Sequence, residues 1–249
     1  MNEVLKVRNV SKTFYKDGAR TEAVKNVSFS LKEGEILGIA GESGSGKSTL
    51  SRLCMGLIKP DGGEIFICRQ KLSKKSIKSL RPKIQMVFQN PADTFNPAFS
   101  VGSGLSEAGR CLGLEKELLK KRIPELLKLT GLSESVYNRR PKELSGGQLQ
   151  RLAIVRALLC SPKILIADEA VSSLDVSVSA NILNLLSDLR ESLGIAILFI
   201  SHDLKVIGSL CDRVGVMYRG ELVESGETEK VLFEPENDYT KRLLDARLD

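Results

Sequence analysis

The sequence predicts an α/β fold. A mostly parallel sheet is covered by helices, preceded by an N-terminal antiparallel β-subdomain and interrupted by an inserted α-helical subdomain. Three observations carry this. Between residues 35 and 57 an apolar run, a glycine-rich loop and a helically spaced run follow one another. From Lys163 onward short apolar runs alternate with amphipathic ones, the pattern of a parallel sheet with helices on its faces. Between these regions the sequence turns Pro/Asn/Ser-rich and then helix-periodic.

Taken in order, Val4 to Val10 and Ala23 to Leu31 alternate apolar and polar residues, as half-buried antiparallel strands do, with the turn-rich Lys16-Asp17-Gly18 between them. Glu35 to Ala40 reads as a short strand ending at Gly41. From Thr49, residues Leu50, Leu53, Cys54 and Leu57 recur at helical spacing until Pro60 and Gly62-Gly63 stop the helix. Glu115 to Leu129 is charged and amphipathic, and Pro124 is expected to interrupt or kink it. Lys163 to Ala167 then reads as a strand, Ser177 to Leu193 as a helix, Ile195 to Ile200 as a strand and Leu204 to Cys211 as a helix. The expectation is one domain over residues 1–249, with its core at about 1–90 and 161–249 and the helical subdomain at about 91–160.

Composition excludes several classes. The 249 residues are 42% hydrophobic and 27% charged, ordinary globular usage that rules out disorder and fibres. Lys and Arg number 37 against 31 Asp and Glu; the net charge of +6 suits an anionic ligand, and its excess reads as too dispersed for nucleic acid. Five cysteines at least 14 residues apart, Cys54, Cys68, Cys111, Cys160 and Cys211, fit neither a disulfide framework nor a metal knuckle. They are expected to be buried free thiols in a reducing cytoplasm. Glu3, Lys6 and Arg8 deny the first residues the apolar core of a signal peptide. The longest clean apolar run, Ile195 to Ile200, has six residues, where a membrane span needs roughly 20.

Three motifs carry the chemistry. Gly41-Glu42-Ser43-Gly44-Ser45-Gly46-Lys47-Ser48 matches GxxxxGK[ST] between a strand and a helix that opens near Thr49, the context that a phosphate-cradling P-loop requires. Its glycines let backbone N–H groups turn toward phosphate oxygens, Lys47 is placed to reach the β- and γ-phosphates of ATP, and the Ser48 hydroxyl to ligate magnesium. Ile164 to Asp168 supplies the acidic partner, since an apolar strand delivers Asp168 to the sheet edge where α/β folds bind ligands. Glu169 follows at once, so two carboxylates can divide the labour: Asp168 at the metal, Glu169 polarising the attacking water. Ser145-Gly146-Gly147-Gln148 opens another helix, a second anion site at a helix N-terminus. Within one chain it is redundant; between two chains it closes over the partner's nucleotide.

These residues resemble the ATP-binding subunits of ABC transporters over nearly the whole chain, with the motifs in the family's order. The resemblance implies an ABC ATPase built on a P-loop NTPase (RecA-like) core. It implies that Gln89, in Val87-Phe88-Gln89, meets magnesium as a Q-loop. Asp175, in Ser173-Leu174-Asp175, lies at the dimer seam as a D-loop, and His202, the only histidine, acts beside the γ-phosphate as the switch residue. Val10 to Phe14 is similar to the A-loop, which assigns adenine stacking to Phe14, with Tyr15 as its rival. The implied cofactors are ATP and magnesium. The implied partners are a second nucleotide-binding subunit, identical or paralogous, two transmembrane permease subunits and, through them, an extracytoplasmic substrate-binding protein, with no nucleic acid. The implied location is the cytoplasmic face of the cell membrane, as a peripheral subunit.

Gln148-Leu149-Gln150-Arg151, Ile84 to Pro91 and the tail Tyr239 to Leu244 look like the peptide, nickel and opine importers. Ala170 in place of the usual proline after Asp168-Glu169, with Arg140-Pro141, is most similar to the nickel-import ATP-binding proteins of that group. Nickel is therefore the expected cargo and di- or oligopeptides the alternative. One histidine and five scattered cysteines offer no nickel cluster on this chain itself. Soluble ABC ATPases of repair or translation share these motifs, but they need a coiled-coil insertion or a second cassette, and neither is in the sequence. A P-loop kinase would leave Leu144 to Gln148 without a task.

Overall fold

A computed structural model describes residues 2–16 and 18–245; of the expected turn, Asp17 lies outside them. The N-terminal region forms an antiparallel sheet of β1 (Glu3–Lys16), β2 (Ala19–Lys32), β4 (Gly62–Ile67) and β5 (Gln70–Lys71), in the order β2-β1-β4-β5. The first two strands are longer than their apolar alternation, because cross-strand pairing from Glu3↔Lys32 to Lys16↔Ala19 carries the ladder through polar residues. A second sheet has the order β10-β9-β3-β8-β7-β6. Its strands are β3 (Ile36–Ala40), β6 (Ile84–Val87), β7 (Ile164–Asp168), β8 (Ala196–Ile200), β9 (Arg213–Tyr218) and β10 (Glu221–Glu227). All its pairings are parallel except β9 with β10. The predicted α/β architecture, with one mostly parallel and one antiparallel sheet, is what the chain forms.

Helices α1 (Lys47–Cys54) and α2 (Ile77–Leu80) precede β6; α3 (Val101–Cys111), α4 (Lys116–Leu129) and α5 (Gly146–Leu158) lie between β6 and β7. Helix α6 (Val176–Leu193) joins β7 to β8, α7 (Leu204–Leu210) joins β8 to β9, and α8 (Thr228–Phe233) and α9 (Asp238–Asp245) follow β10. The period-2 rule of strands divides the interior in two. Ile36, Leu165, Ala167, Ile197 and Phe199 face a core built with α3 to α7. Their neighbours Leu37, Ile39, Ile164, Ile166, Leu198 and Ile200 face α1 and the antiparallel sheet.

Three expectations need correcting. Helix α1 ends at Cys54, short of Leu57, because Gly56 turns into the left-handed region (φ 66°); Gly62-Gly63, read as a helix stop, opens β4. Pro124 sits inside α4 without ending it, since Leu119, Ile123, Leu126 and Leu127 bury one face of that helix. Cys111 is exposed and Cys68 and Cys160 half-buried, so the expectation of five buried thiols fails for three. Burial pushes the Cys54 thiol up to about 12. Among the described residues no helix is long and apolar enough to cross a membrane.

Candidate functional site

The site begins where β3 ends. Gly41 (φ 147°) and Gly46 (φ 109°) take conformations that disfavour side chains, and a Cβ there would lie 2.3 Å from the Met217 carbonyl oxygen and 2.2 Å from that of Ala23. The loop is thus pressed between β2 and β9. Lys47, 4% exposed, turns back over it and donates from Nζ to the carbonyls of Gly41 and Glu42, both at 2.8 Å. Ser43, Gly44, Gly46, Lys47, Ser48 and Thr49 line a cleft of about 740 Å³ together with Glu169. The sequence reading missed three cations that also line it, Arg20 and Lys25 from β2 and Arg219 after β9; Arg20 is paired with Glu22, itself in the lining, and Lys25 with Glu221. Lys47 and Arg219 give the P-loop side of the cleft positive charge for an anionic ligand.

Gly41, Glu42 and Ser45 do not line the cleft. Gly220 N–H donates to the Ser45 carbonyl at 2.9 Å, and Glu42 N–H donates to the Tyr239 hydroxyl at 3.4 Å. Tyr239, 6% exposed on α9, stacks on Tyr218 with ring centroids 4.0 Å apart. The tail therefore braces the P-loop from behind, a role that its sequence did not disclose. Tyr239→Phe keeps the ring stack and removes the acceptor; a neutral hydrogen bond of this kind predicts a KM for ATP raised by about 2- to 10-fold with kcat and Tm nearly unchanged. An unaltered KM in steady-state ATPase assays would show that the loop stands without it.

Strand β7 delivers Asp168 beneath α1. The Ser51 hydroxyl donates to Asp168 Oδ2 at 2.8 Å and that of Ser48 to Oδ1 at 3.4 Å. Ser51, fully buried, was missed, although a serine in the stripe of Leu50, Leu53 and Cys54 marks a polar need on that face. Burial pushes the Asp168 carboxyl above its ordinary range; the Ser51 hydrogen bond opposes this and the charge of Glu169 adds to it. A buried carboxylate beside a serine hydroxyl is a hard oxygen donor pair that fits magnesium, which takes a few protein oxygens and completes its shell with water and phosphate.

Glu169 adopts a left-handed backbone (φ 49°), with its N–H donating to the Ile200 carbonyl at 2.9 Å. Such a conformation in a glutamate stores strain of order 1–3 kcal/mol and re-aims the side chain relative to Asp168. Its carboxylate is held at both oxygens: Gln89 Nε2 donates to Oε2 at 3.1 Å, and His202 Nδ1 lies 3.5 Å from Oε1. The structure thus joins Glu169, His202 and Gln89, placing Gln89 beside Glu169, while Ser48 pairs with Asp168.

Ser145, Gly146, Gly147 and Gln148 do not line the cleft. Ser145 caps α5, its Oγ accepting from Gln148 N–H at 3.3 Å while Gln148 Oε1 accepts from Ser145 N–H at 3.1 Å. A Cβ on Gly147 would meet Val178 of α6 at 2.6 Å, so this string and the start of α6 are neighbours. There Asp175 caps α6, accepting from Val178 N–H at 2.9 Å, which holds its carboxyl below the usual range. Val176 beside it is 88% exposed. Phe14 and Tyr15, on β1, are 40% and 77% exposed, and neither lines the cleft; their β2 partners Thr21 and Arg20 do.

The model of the ABC transporter family matches residues 24–172. A putative peptide import ATP-binding protein of Brucella abortus is 44% identical over 229 residues, covering 90% of this chain and 69% of the relative. The oligopeptide transport ATP-binding protein OppF of Haemophilus influenzae is 41% identical over 246 residues, covering 97% and 74%. Among solved structures, the dimeric ATP-binding cassette MJ0796 in a post-hydrolysis state bound to ADP and Pi superposes with a TM-score of 0.80 at 33% identity, covering 90% of this chain and 98% of its own.

Proposed function

Since this chain belongs to the ABC transporter family, we propose that it is the ATP-binding and ATP-hydrolysing subunit of an importer, and that the cargo is di- or oligopeptides. The observation that carries the reading is that the P-loop and Glu169 line one cleft, with Asp168 hydrogen-bonded to Ser48 of that loop, while Ser145 to Gln148 stand outside it. A site so divided is completed by a second copy or a paralogous subunit.

In this reading the N–H groups of Gly44 to Thr49 and the Lys47 ammonium bind the ATP phosphates, and Phe14 or Tyr15 stacks on adenine. Ser48 and Asp168, with Gln89 alongside, would hold magnesium, which would supply positive charge to the bound phosphates. Glu169, its carboxylate oriented by Gln89 and His202, takes the proton of the attacking water. Ser145 to Gln148 of the second subunit cover the nucleotide, with Asp175 at the seam between the two. Closure and reopening of this pair drive two transmembrane permease subunits fed by an extracytoplasmic binding protein, which places this chain at the cytoplasmic face of the membrane.

The names of the relatives favour peptides over nickel, toward which Ala170 and Arg140-Pro141 pointed. Ala170 is 2% exposed in the helix-side core, so packing alone accounts for a small apolar residue there. Uptake of labelled tripeptide and of labelled nickel in cells lacking the chain tests this. Loss of peptide uptake, restored by the wild type and not by Glu169→Gln, is the expected result. Loss of nickel uptake alone would return the cargo to nickel, and no change in either would defeat the importer reading.

A further inference from the structure

The most concentrated positive charge of this chain lies in one short segment. Residues 71–83 carry Lys71, Lys74, Lys75, Lys78, Arg81 and Lys83 and no carboxylate, and the remaining 31 Lys and Arg equal the 31 Asp and Glu of the chain. This segment alone carries +6 while the rest of the chain sums to zero; it runs from β5 through α2 to the start of β6. Among the described residues, Lys71 alone of the six has an ion-pair partner, Glu64. Lys74, Lys75, Lys78 and Arg81 are exposed.

The segment borders an apolar groove of about 600 Å³ between the end of α1 and the β4–β5 hairpin. Leu57, Ile58, Leu72 and Ile77 line it with Lys59 and Lys74, and it shares no lining residue with the nucleotide cleft. Leu57 is 46% exposed there. The groove's two carboxylates, Asp61 and Glu64, are already paired with Lys12 and Lys71. Among the described residues Lys59 and Lys74 have no ion-pair partner, although Lys59 also lies near Asp61, so the surface is apolar at its centre with these lysines around it.

We propose that this groove docks an acidic amphipathic segment of a partner protein, its apolar side chains in the groove and its carboxylates against Lys59, Lys74 and the lysines beside them. A helix with apolar residues at i, i+3, i+4 and i+7 and acidic residues on its flanks has this complementarity. A protein segment fits better than an anionic bilayer, because a flat lipid surface meets the lysines and leaves the groove unfilled. The charges set approach and orientation, and the apolar contact sets residence time.

The probe is a fluorescein-labelled amphipathic peptide of about 14 residues, leucines on one face and glutamates on the other, titrated with the whole chain and read by anisotropy. Binding that weakens with added salt and falls about tenfold in Lys59→Glu/Lys74→Glu, with ATPase activity and Tm unchanged, is the expected result. A photocrosslinker on the peptide is expected to label residues 57–77 of the wild type, a readout independent of whether the double variant folds. Absence of binding, equal binding of a scrambled peptide of the same composition, or crosslinking elsewhere would overturn the proposal. So would capture by phosphatidylglycerol vesicles, but not by the peptide.

Discussion

Glu169→Gln is expected to lower ATP turnover by about 10²- to 10⁴-fold while leaving nucleotide affinity near that of the wild type. The amide matches the carboxylate in shape and still accepts from Gln89 Nε2, which donates to Glu169 Oε2 at 3.1 Å. The P-loop contacts of Lys47 and Ser48 are untouched. The variant loses only the ability to take a proton from water. If reopening follows hydrolysis, as proposed, the variant with ATP and magnesium should elute as a dimer in size-exclusion chromatography, and the wild type should not. Turnover near the wild-type rate in a phosphate-release assay would remove Glu169 from the role of base.

Asp168→Asn separates stability from activity. Burial, opposed by the Ser51 hydrogen bond and reinforced by Glu169, holds this carboxyl above its ordinary range. A raised acid binds its proton more tightly in the folded state than in the unfolded one, so its ionised form opposes folding at neutral pH. Its favourable contribution is present below the unfolded pKa and disappears as pH rises through the folded one. The amide carries no charge and still accepts from the Ser51 hydroxyl. Without nucleotide, the variant should therefore melt higher than the wild type at pH 7, by about 2–4 °C per kcal/mol recovered, the gap closing below about pH 4. Magnesium-ATP should no longer raise its Tm, and hydrolysis should be lost. A lower Tm at pH 7, or a retained response to magnesium-ATP in differential scanning fluorimetry, would contradict the assignment.

The parts of the fold that were legible rest on local rules. Gly41, Gly44, Gly46 and Lys47 announce the P-loop because spacing fixes their geometry, and the alternation in β1 and the apolar runs of β3, β7 and β8 follow from burial on one face or two. Distant pairing decided the rest. Gly62, Gly63 and Glu64 have poor strand propensity, and β4 exists because β1 offers it a ladder at Arg8↔Glu64 and Ser11↔Gly62. Strand β9, read past in the sequence, is held between β3 and β10. Tyr239 was visible only as a family mark, since its place behind the P-loop depends on Tyr218 and Glu42, 21 and 197 residues away. The Glu169–His202–Gln89 cluster was legible as three motif residues, but the Gln89–Glu169 hydrogen bond and the approach of His202 to Glu169 were not.

Strand β8 lies inside the parallel sheet, and its alternate side chains belong to different cores. Neither core can loosen alone without stripping one face of the same strand. Its amides should then exchange with deuterium only through whole-molecule opening, among the slowest in the chain. His202 lies two residues past this strand, and Glu169 N–H donates to its last residue, Ile200. The groups nearest the proposed proton transfer are thus fixed to the slowest-opening part of the protein. Residues 145–148 are carried instead at the exposed start of α5, where protection is expected to be lower and to rise when a second subunit covers them.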